Sequence, residues 1–130
     1  MKKENTSKNK KKVAKVVPDA IVYIKSSFNN TMLSATDLKG GVYCWASTGR
    51  VGFKGTKKST PYAATQAARA LIDQMLEAGT QEIKIFVAGV SSGRDAAIRA
   101  FSTAGFRVQA VKDITPIPHN GCRPKKPRRV

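Results

Sequence analysis

The run Ile83-Lys84-Ile85-Phe86-Val87-Ala88 constrains the fold of this chain more than any other segment. It is rich in β-branched and aromatic residues, as strands are, and its weak polar alternation is the pattern of a strand covered on both faces. Such a strand is central in its sheet. The flanking residues supply helices to cover it. Thr60 is placed as an N-cap with Pro61 at the first helical position, and Ala64, Ala68, Leu71 and Met75 recur at three- and four-residue spacing up to Gly79. That pattern predicts an amphipathic helix of about five turns. Beyond the turn Gly89 to Gly93, Ser92 or Gly93 caps a second helix carrying Ala97, Ile98 and Phe101 on one face, with Gly105 at its C′ position.

Ahead of these elements, Ala20-Ile21-Val22-Tyr23-Ile24-Lys25 and Thr31-Met32-Leu33-Ser34-Ala35-Thr36 read as a hairpin around Phe28-Asn29-Asn30. A second turn, Asp37-Leu38-Lys39-Gly40-Gly41, leads into a third strand, Val42-Tyr43-Cys44-Trp45-Ala46, and Arg107 to Lys112 supplies the last. The order βββαβαβ predicts a mixed five-stranded sheet in a three-layer α/β domain with right-handed crossovers. Hydrophobic residues make up 41% of the chain, enough for a modest core, so a wholly disordered polycation is excluded.

Charge narrows the function. Lys and Arg number 24 against 8 Asp and Glu, for a formal net charge of +16. Residues 1–17 carry +6 of it and residues 119–130 carry +5, so both ends are polycationic and the core between them is still basic. Segments of that composition cannot offset their own ordering entropy and are expected to stay mobile until a polyanion neutralises them and releases counterions. Two such arms flanking a basic core suit nucleic acid better than a plain solubility tail does. The N-terminal cations are all lysine and are interrupted by Glu4, which argues against a mitochondrial presequence, and no apolar stretch follows them as a secretory signal requires. The longest apolar runs fall far short of the roughly 18–20 residues that cross a bilayer. Two cysteines, Cys44 and Cys122, make no disulfide framework and fit a reducing compartment.

The loop from Ser47 to Thr60 places Gly49, Gly52 and Gly55 at every third position, with Arg50, Lys54, Lys57 and Lys58 among them and Ser59 at its end. Glycine admits close approach to a phosphate, backbone N–H groups can form an anion nest, and the helix start at Thr60 adds partial positive charge. The spacing is not that of a Walker loop. With Phe53 as a stacking face, the loop reads as a clamp on an RNA or DNA backbone. The turn Gly89-Val90-Ser91-Ser92-Gly93-Arg94 lacks the Gly-x-Gly-x-x-Gly spacing and reads equally as a tight strand-to-helix connection.

Catalytic sets are poorly represented. His119 and Cys122 offer two metal ligands where a structural zinc site needs four, Cys44 reads as a core residue, and no cofactor is called for. Asp37, Asp95 and Asp113 would have to cluster to make a metal-dependent nuclease, and turn formation, capping and ion pairing explain them with fewer assumptions. The segment from Asp113 to Val130 holds four of the chain's six prolines, so it should run extended and present its Arg and Lys along a nucleic acid. Within it, Asn120-Gly121 is both a turn signal and a site expected to form isoaspartate, because an unhindered glycine favours cyclisation of the preceding Asn.

Four stretches together resemble the universal small-subunit ribosomal protein number eleven in its bacterial and organellar form. They are Ser27-Phe28-Asn29-Asn30-Thr31, Trp45-Ala46-Ser47 with the glycine loop through Pro61-Tyr62-Ala63-Ala64, Gly93-Arg94-Asp95, and Asp113 to Pro124 with its Pro-His-Asn-Gly-Cys-Arg-Pro run. The resemblance implies a ribonuclease-H-like core without nuclease activity, working in the ribosome of a bacterial cytosol or of a plastid or mitochondrial interior. It implies a structural role on the platform of the small subunit, bridging ribosomal RNA helices and helping to form the cleft for the duplex of message and ribosomal RNA. Ribosomal proteins seven and eighteen, and initiation factor three, are the implied neighbours. The implied RNA contacts are Asn29, Asn30, Gly49, Arg50, Gly52, Gly55, Lys57, Lys58 and Arg94, with the tail residues His119, Asn120, Gly121, Cys122, Arg123, Lys125, Lys126, Arg128 and Arg129. Two departures stand out: the family's usual Lys-Gly-x-Gly-x-Gly-Arg is here Ala88-Gly89-Val90-Ser91-Ser92-Gly93-Arg94, and Lys57 replaces a usual arginine, keeping charge but giving up bidentate geometry.

The expected organisation is therefore a basic arm over 1–17, an α/β RNA-binding core over 18–115 and a basic, proline-rich extension over 116–130. A non-catalytic RNA-bridging protein is the principal expectation. Its rivals are a general nucleic-acid-coating protein and a metal-dependent nuclease on the same core.

Overall fold

A computed structural model describes residues 16–129. Residues 1–15, most of the expected N-terminal arm, lie outside the described residues. Five strands, β1 (Asp19–Ser26), β2 (Thr31–Thr36), β3 (Val42–Ser47), β4 (Glu82–Ala88) and β5 (Arg107–Asp113), form one sheet in the order β3-β2-β1-β4-β5. The first three are antiparallel, and β1, β4 and β5 are parallel. Helices α1 (Pro61–Glu77) and α2 (Ser92–Thr103) make the crossovers. The α/β class and the mixed five-stranded sheet are as the sequence predicts.

Local chemistry explains the boundaries. Thr60 caps α1, its hydroxyl accepting from Ala63 N at 3.3 Å ahead of Pro61. Gly79 and Gly105 follow the two helices with φ of +75° and +88°, the left-handed conformation that closes a helix C-terminus. The cap of α2 is Ser91, one residue before the two candidates: its Oγ accepts from Gly93 N at 3.3 Å, while Ser92 turns its hydroxyl away to Ser59 O.

The layers differ from expectation. β4 does alternate, with Ile83, Ile85 and Val87 buried and Lys84, Phe86 and Ala88 half-buried. The crossovers β3 to β4, through α1, and β4 to β5, through α2, step the same way across the sheet, and two crossovers of one hand then place both helices on one face. α1 and α2 pack against each other there, and the described residues make two layers rather than three. Phe86 obscured this in the sequence: it is apolar yet lies on the open face, meeting Tyr23 edge-on with centroids 5.5 Å apart.

The core lies between the helix pair and the other face of the sheet. Ala63, Ala64, Ala67 and Ala68 give α1 a thin face that comes close to the strands, and Leu71 and Met75 fill the space further along. From α2, Phe101 enters fully buried beside Ala97. Burial pushes the Cys44 thiol up to about 11, so this residue remains a neutral, apolar core group.

At the end of β4 the backbone passes very close to β1. Gly89 has φ +90°, and a Cβ there would sit 1.9 Å from Ser26 O. We therefore expect Gly89→Ala to lower stability by about 2–3 kcal/mol in urea denaturation. Gly52 has φ +103° but open space where a Cβ would stand, and it should lose less on the same substitution.

Candidate nucleic-acid interface

The basic loop begins at a buried polar junction. Thr48 donates its N–H to Thr31 O at 3.2 Å, and its hydroxyl bonds the side-chain oxygen of Asn30. That oxygen also accepts from Thr31 N at 2.9 Å. Asn30 thus ties the β1–β2 turn to the exit of β3, which fixes where the loop leaves the sheet. Asn29, next to it, is exposed.

From there the chain turns back on itself. Val51 N and Arg50 N reach Ser47 at 3.3 and 3.2 Å, and Phe53 N reaches Thr48 O at 3.2 Å. The left-handed Gly52 and Gly55 then lead into a single 3-10 turn, Gly55–Ser59, which displays Lys57 and Lys58. Gly49 takes an ordinary φ. Phe53 is half-buried and meets Tyr62 of α1 edge-on at 5.9 Å, so it anchors the loop to the helix instead of offering an open stacking face. Arg50 and Lys54 are exposed, and the Arg50 guanidinium lies over the Trp45 ring, 4.1 Å from its centroid.

The loop and the second glycine turn meet. Ser92 Oγ donates to Ser59 O at 3.3 Å, joining the N-terminal ends of α1 and α2. Gly93 is buried in that seam, where a Cβ would fall 3.1 Å from Ala64 Cβ and 2.5 Å from Thr31 Oγ1. The two glycines this turn retains are thus the two positions where a side chain has no room.

Arg94 is turned inward. Its guanidinium donates to Gly89 O at 3.0 Å and to Asp113 Oδ2 at 2.8 Å. Asp113 also accepts from the Thr115 N–H at 2.9 Å and hydroxyl at 2.6 Å, and Thr115 Oγ1 accepts from Gly89 N at 3.1 Å. These bonds clamp the root of the C-terminal extension to the turn. Beyond the clamp, Pro118 to Arg129 are all exposed, His119, Gly121 and Cys122 included, and they form no helix or strand. Arg123, Lys125, Lys126, Arg128 and Arg129 extend outward with them, and Asn120 takes φ +63°.

The three carboxylates of the nuclease alternative stand apart in role. Asp37 accepts from Lys39 N and Gly41 N within its own turn, Asp95 lies in the first turn of α2, and Asp113 belongs to the clamp. Among the described residues, no group of three His, Cys, Asp or Glu side chains is placed to hold a metal ion. No described helix is long and apolar enough to cross a membrane.

Fold and surface together define a basic α/β domain whose cationic loop and cationic tail leave from neighbouring turns at the ends of its strands. Comparison with known proteins gives the family. The sequence model of the family described as Ribosomal protein S11 matches residues 20–129, and the chain belongs to that family. Among curated relatives, the small ribosomal subunit protein uS11 of Aquifex aeolicus (strain VF5) is 52% identical over 124 residues, covering 95% of this chain and 99% of that protein. The family is structural and non-enzymatic.

Thr115, through its side chain and then its backbone, and next Arg94, hold the Asp113 carboxyl well below the usual carboxylate range. Its stabilising effect is therefore complete above the unfolded value near 3.9 and fades as pH falls below it. Asp113→Asn should be less stable than the native chain at pH 7 in urea denaturation, and the gap should narrow as pH falls from about 4 to 2. A gap independent of pH would remove the clamp's electrostatic part.

Proposed function

We propose that this chain bridges separate segments of ribosomal RNA on the platform of the small subunit. As a family member it is a structural constituent of that subunit, and ribosomal RNA binding is a general property of the family. The bridging reading is carried by one observation: the loop with Lys57 and Lys58 and the root of the tail are hydrogen-bonded to the same strand-to-helix turn, through Ser92 to Ser59 and Thr115 to Gly89. Two cationic elements with a fixed common origin but different directions can engage two RNA segments and hold them in a set relation. Backbone charge then supplies most of the affinity, and the fixed origin supplies the geometry.

In this reading Arg50, Lys54, Lys57, Lys58 and the exposed tail cations contact phosphate, Gly49, Gly52 and Gly55 allow close approach, and Asn29 and Ser59 border the contact. Arg94 and Asn30 act indirectly, by setting the directions of tail and loop. The neighbours proposed from the resemblance are ribosomal proteins seven and eighteen, with initiation factor three and the message close by. The cleft for the duplex of message and ribosomal RNA belongs to the same proposal.

Truncation after Pro118 tests the tail. It removes five cations, so log K against log salt concentration should flatten by about four, with binding weaker at every salt and the core still folded. An unchanged slope would remove the tail from the interface. Tagged full-length protein should also co-sediment with small subunits through a salt wash, its RNA crosslinks confined to a few distant segments; crosslinks scattered over cellular RNA would indicate a general coating protein instead. Asn120 is exposed and left-handed before Gly121, and isoaspartate there is expected to appear on peptide mapping of aged protein.

A further inference from the structure

The face of the sheet turned away from the helices has no layer over it among the described residues. Its side chains follow from the register. Trp45 lies opposite Ser34, Ser34 opposite Tyr23, and Tyr23 opposite Phe86, so three aromatic rings and a serine form one row across four strands. Met32 and Lys25, opposite each other, stand in the next row. Trp45 and Met32 are 49% and 52% exposed, far more than an apolar residue covered by its own fold.

Cations are set among these rings. Lys25 is exposed beside Met32, Lys112 continues the aromatic row opposite Phe86, and Lys84 lies in the row on the other side. The acidic residues of this face, Asp19 and Glu82, sit together at its far end, where Arg107 and Gln109 engage Glu82. The basic loop joins the face through Arg50, whose flat guanidinium covers the Trp45 ring at 4.1 Å. A planar cation on an indole occupies the place a nucleobase would take, and arginine itself stacks on bases.

We propose that this open face binds an unpaired stretch of RNA, with bases stacked on Trp45 and on the Tyr23–Phe86 pair and phosphates held by Lys25, Lys112 and Arg50. Rings in a row on an open sheet, flanked by cations, suit splayed bases; a duplex keeps its bases stacked inside and offers no rings to them. A protein partner would be favoured by an uncharged or acid-matched patch, and the cations among the rings match phosphate instead. The inference rests on the ribosomal RNA reading above and names a second kind of contact within it: loop and tail hold backbone, the sheet holds bases.

Trp45 is the chain's single tryptophan, so its emission reports this face alone. Full-length protein is titrated with end-labelled oligoadenylate and, separately, with an RNA duplex of equal phosphate number, reading tryptophan emission and label anisotropy together. Oligoadenylate should quench Trp45 in step with binding, and bound duplex should leave the emission nearly unchanged. Trp45→Leu should weaken oligoadenylate about tenfold and leave duplex affinity within about twofold; if that variant misfolds, the emission of the native chain still decides. Anisotropy showing bound oligoadenylate without quenching would overturn the stacking face and leave the loop and tail reading standing. Equal quenching by both RNAs would overturn the preference for unpaired bases. Failure of both RNAs to bind would overturn both readings, and an emission change produced only by other small-subunit proteins, in the absence of RNA, would assign the face to a protein.

Discussion

The parallel pairing of β1 with β4 is the contact on which the rest of the molecule depends. It joins the antiparallel hairpin strands to the parallel half of the sheet, and at its upper end it brings Gly89 against the carbonyl of Ser26. That approach leaves no room for a side chain, so the chain must turn there. From this turn α2 starts beneath its Ser91 cap, the α1 N-terminus is joined through Ser59, and the tail is caught by Thr115. Three segments, among them the loop and the tail proposed to meet RNA, thus take their positions from one crowded backbone crossing. Their charges lie elsewhere, on Lys57, Lys58 and the residues beyond Pro118, while the turn's own polar groups are engaged within the protein, Ser92 with Ser59, Gly89 with Thr115 and Arg94 with Asp113.

Much of this was legible in the sequence because local signals agreed with the global arrangement. The Thr60-Pro61 start, the alanine-rich stripe of α1, the Gly79 and Gly105 ends and the hairpin about Asn29 and Asn30 each obey a rule that needs no knowledge of distant residues. The layer count was not legible, because hydrophobicity reports burial and not which side does the burying. Phe86 meets Tyr23 on the face turned away from the helices, and in sequence it cannot be told from a residue under a helix. The cap of α2 lies one position before the two candidates the sequence offered, Ser92 and Gly93, for a related reason: Ser59, distant in sequence, draws the Ser92 hydroxyl aside and leaves the cap to Ser91.

The candidate interface divided along the same line. Charge and glycine spacing marked the loop and tail directly, since both properties are local. The inward engagement of Arg94 depends on Asp113 and Gly89, and the anchoring of Phe53 depends on Tyr62, pairings that only the folded chain creates. The aromatic row across the sheet was missed altogether. Its signal was present in the strand registers, since Trp45, Tyr23 and Phe86 fall on one face once β3-β2-β1-β4 order is known, but single-strand periodicity does not supply that order.

A sheet face that no described residue covers, bearing Trp45 and Met32, also matters before any RNA is met. Apolar rings facing water favour self-association between copies, and a formal charge of +16 opposes it by mutual repulsion. Added salt screens that repulsion over the same distances at which it screens attraction to phosphate. Ionic strength therefore acts twice in the same direction, loosening the protein's hold on its polyanion and removing the barrier that keeps free copies apart. The newly made chain is safest in the low-salt, RNA-rich conditions in which it also binds best.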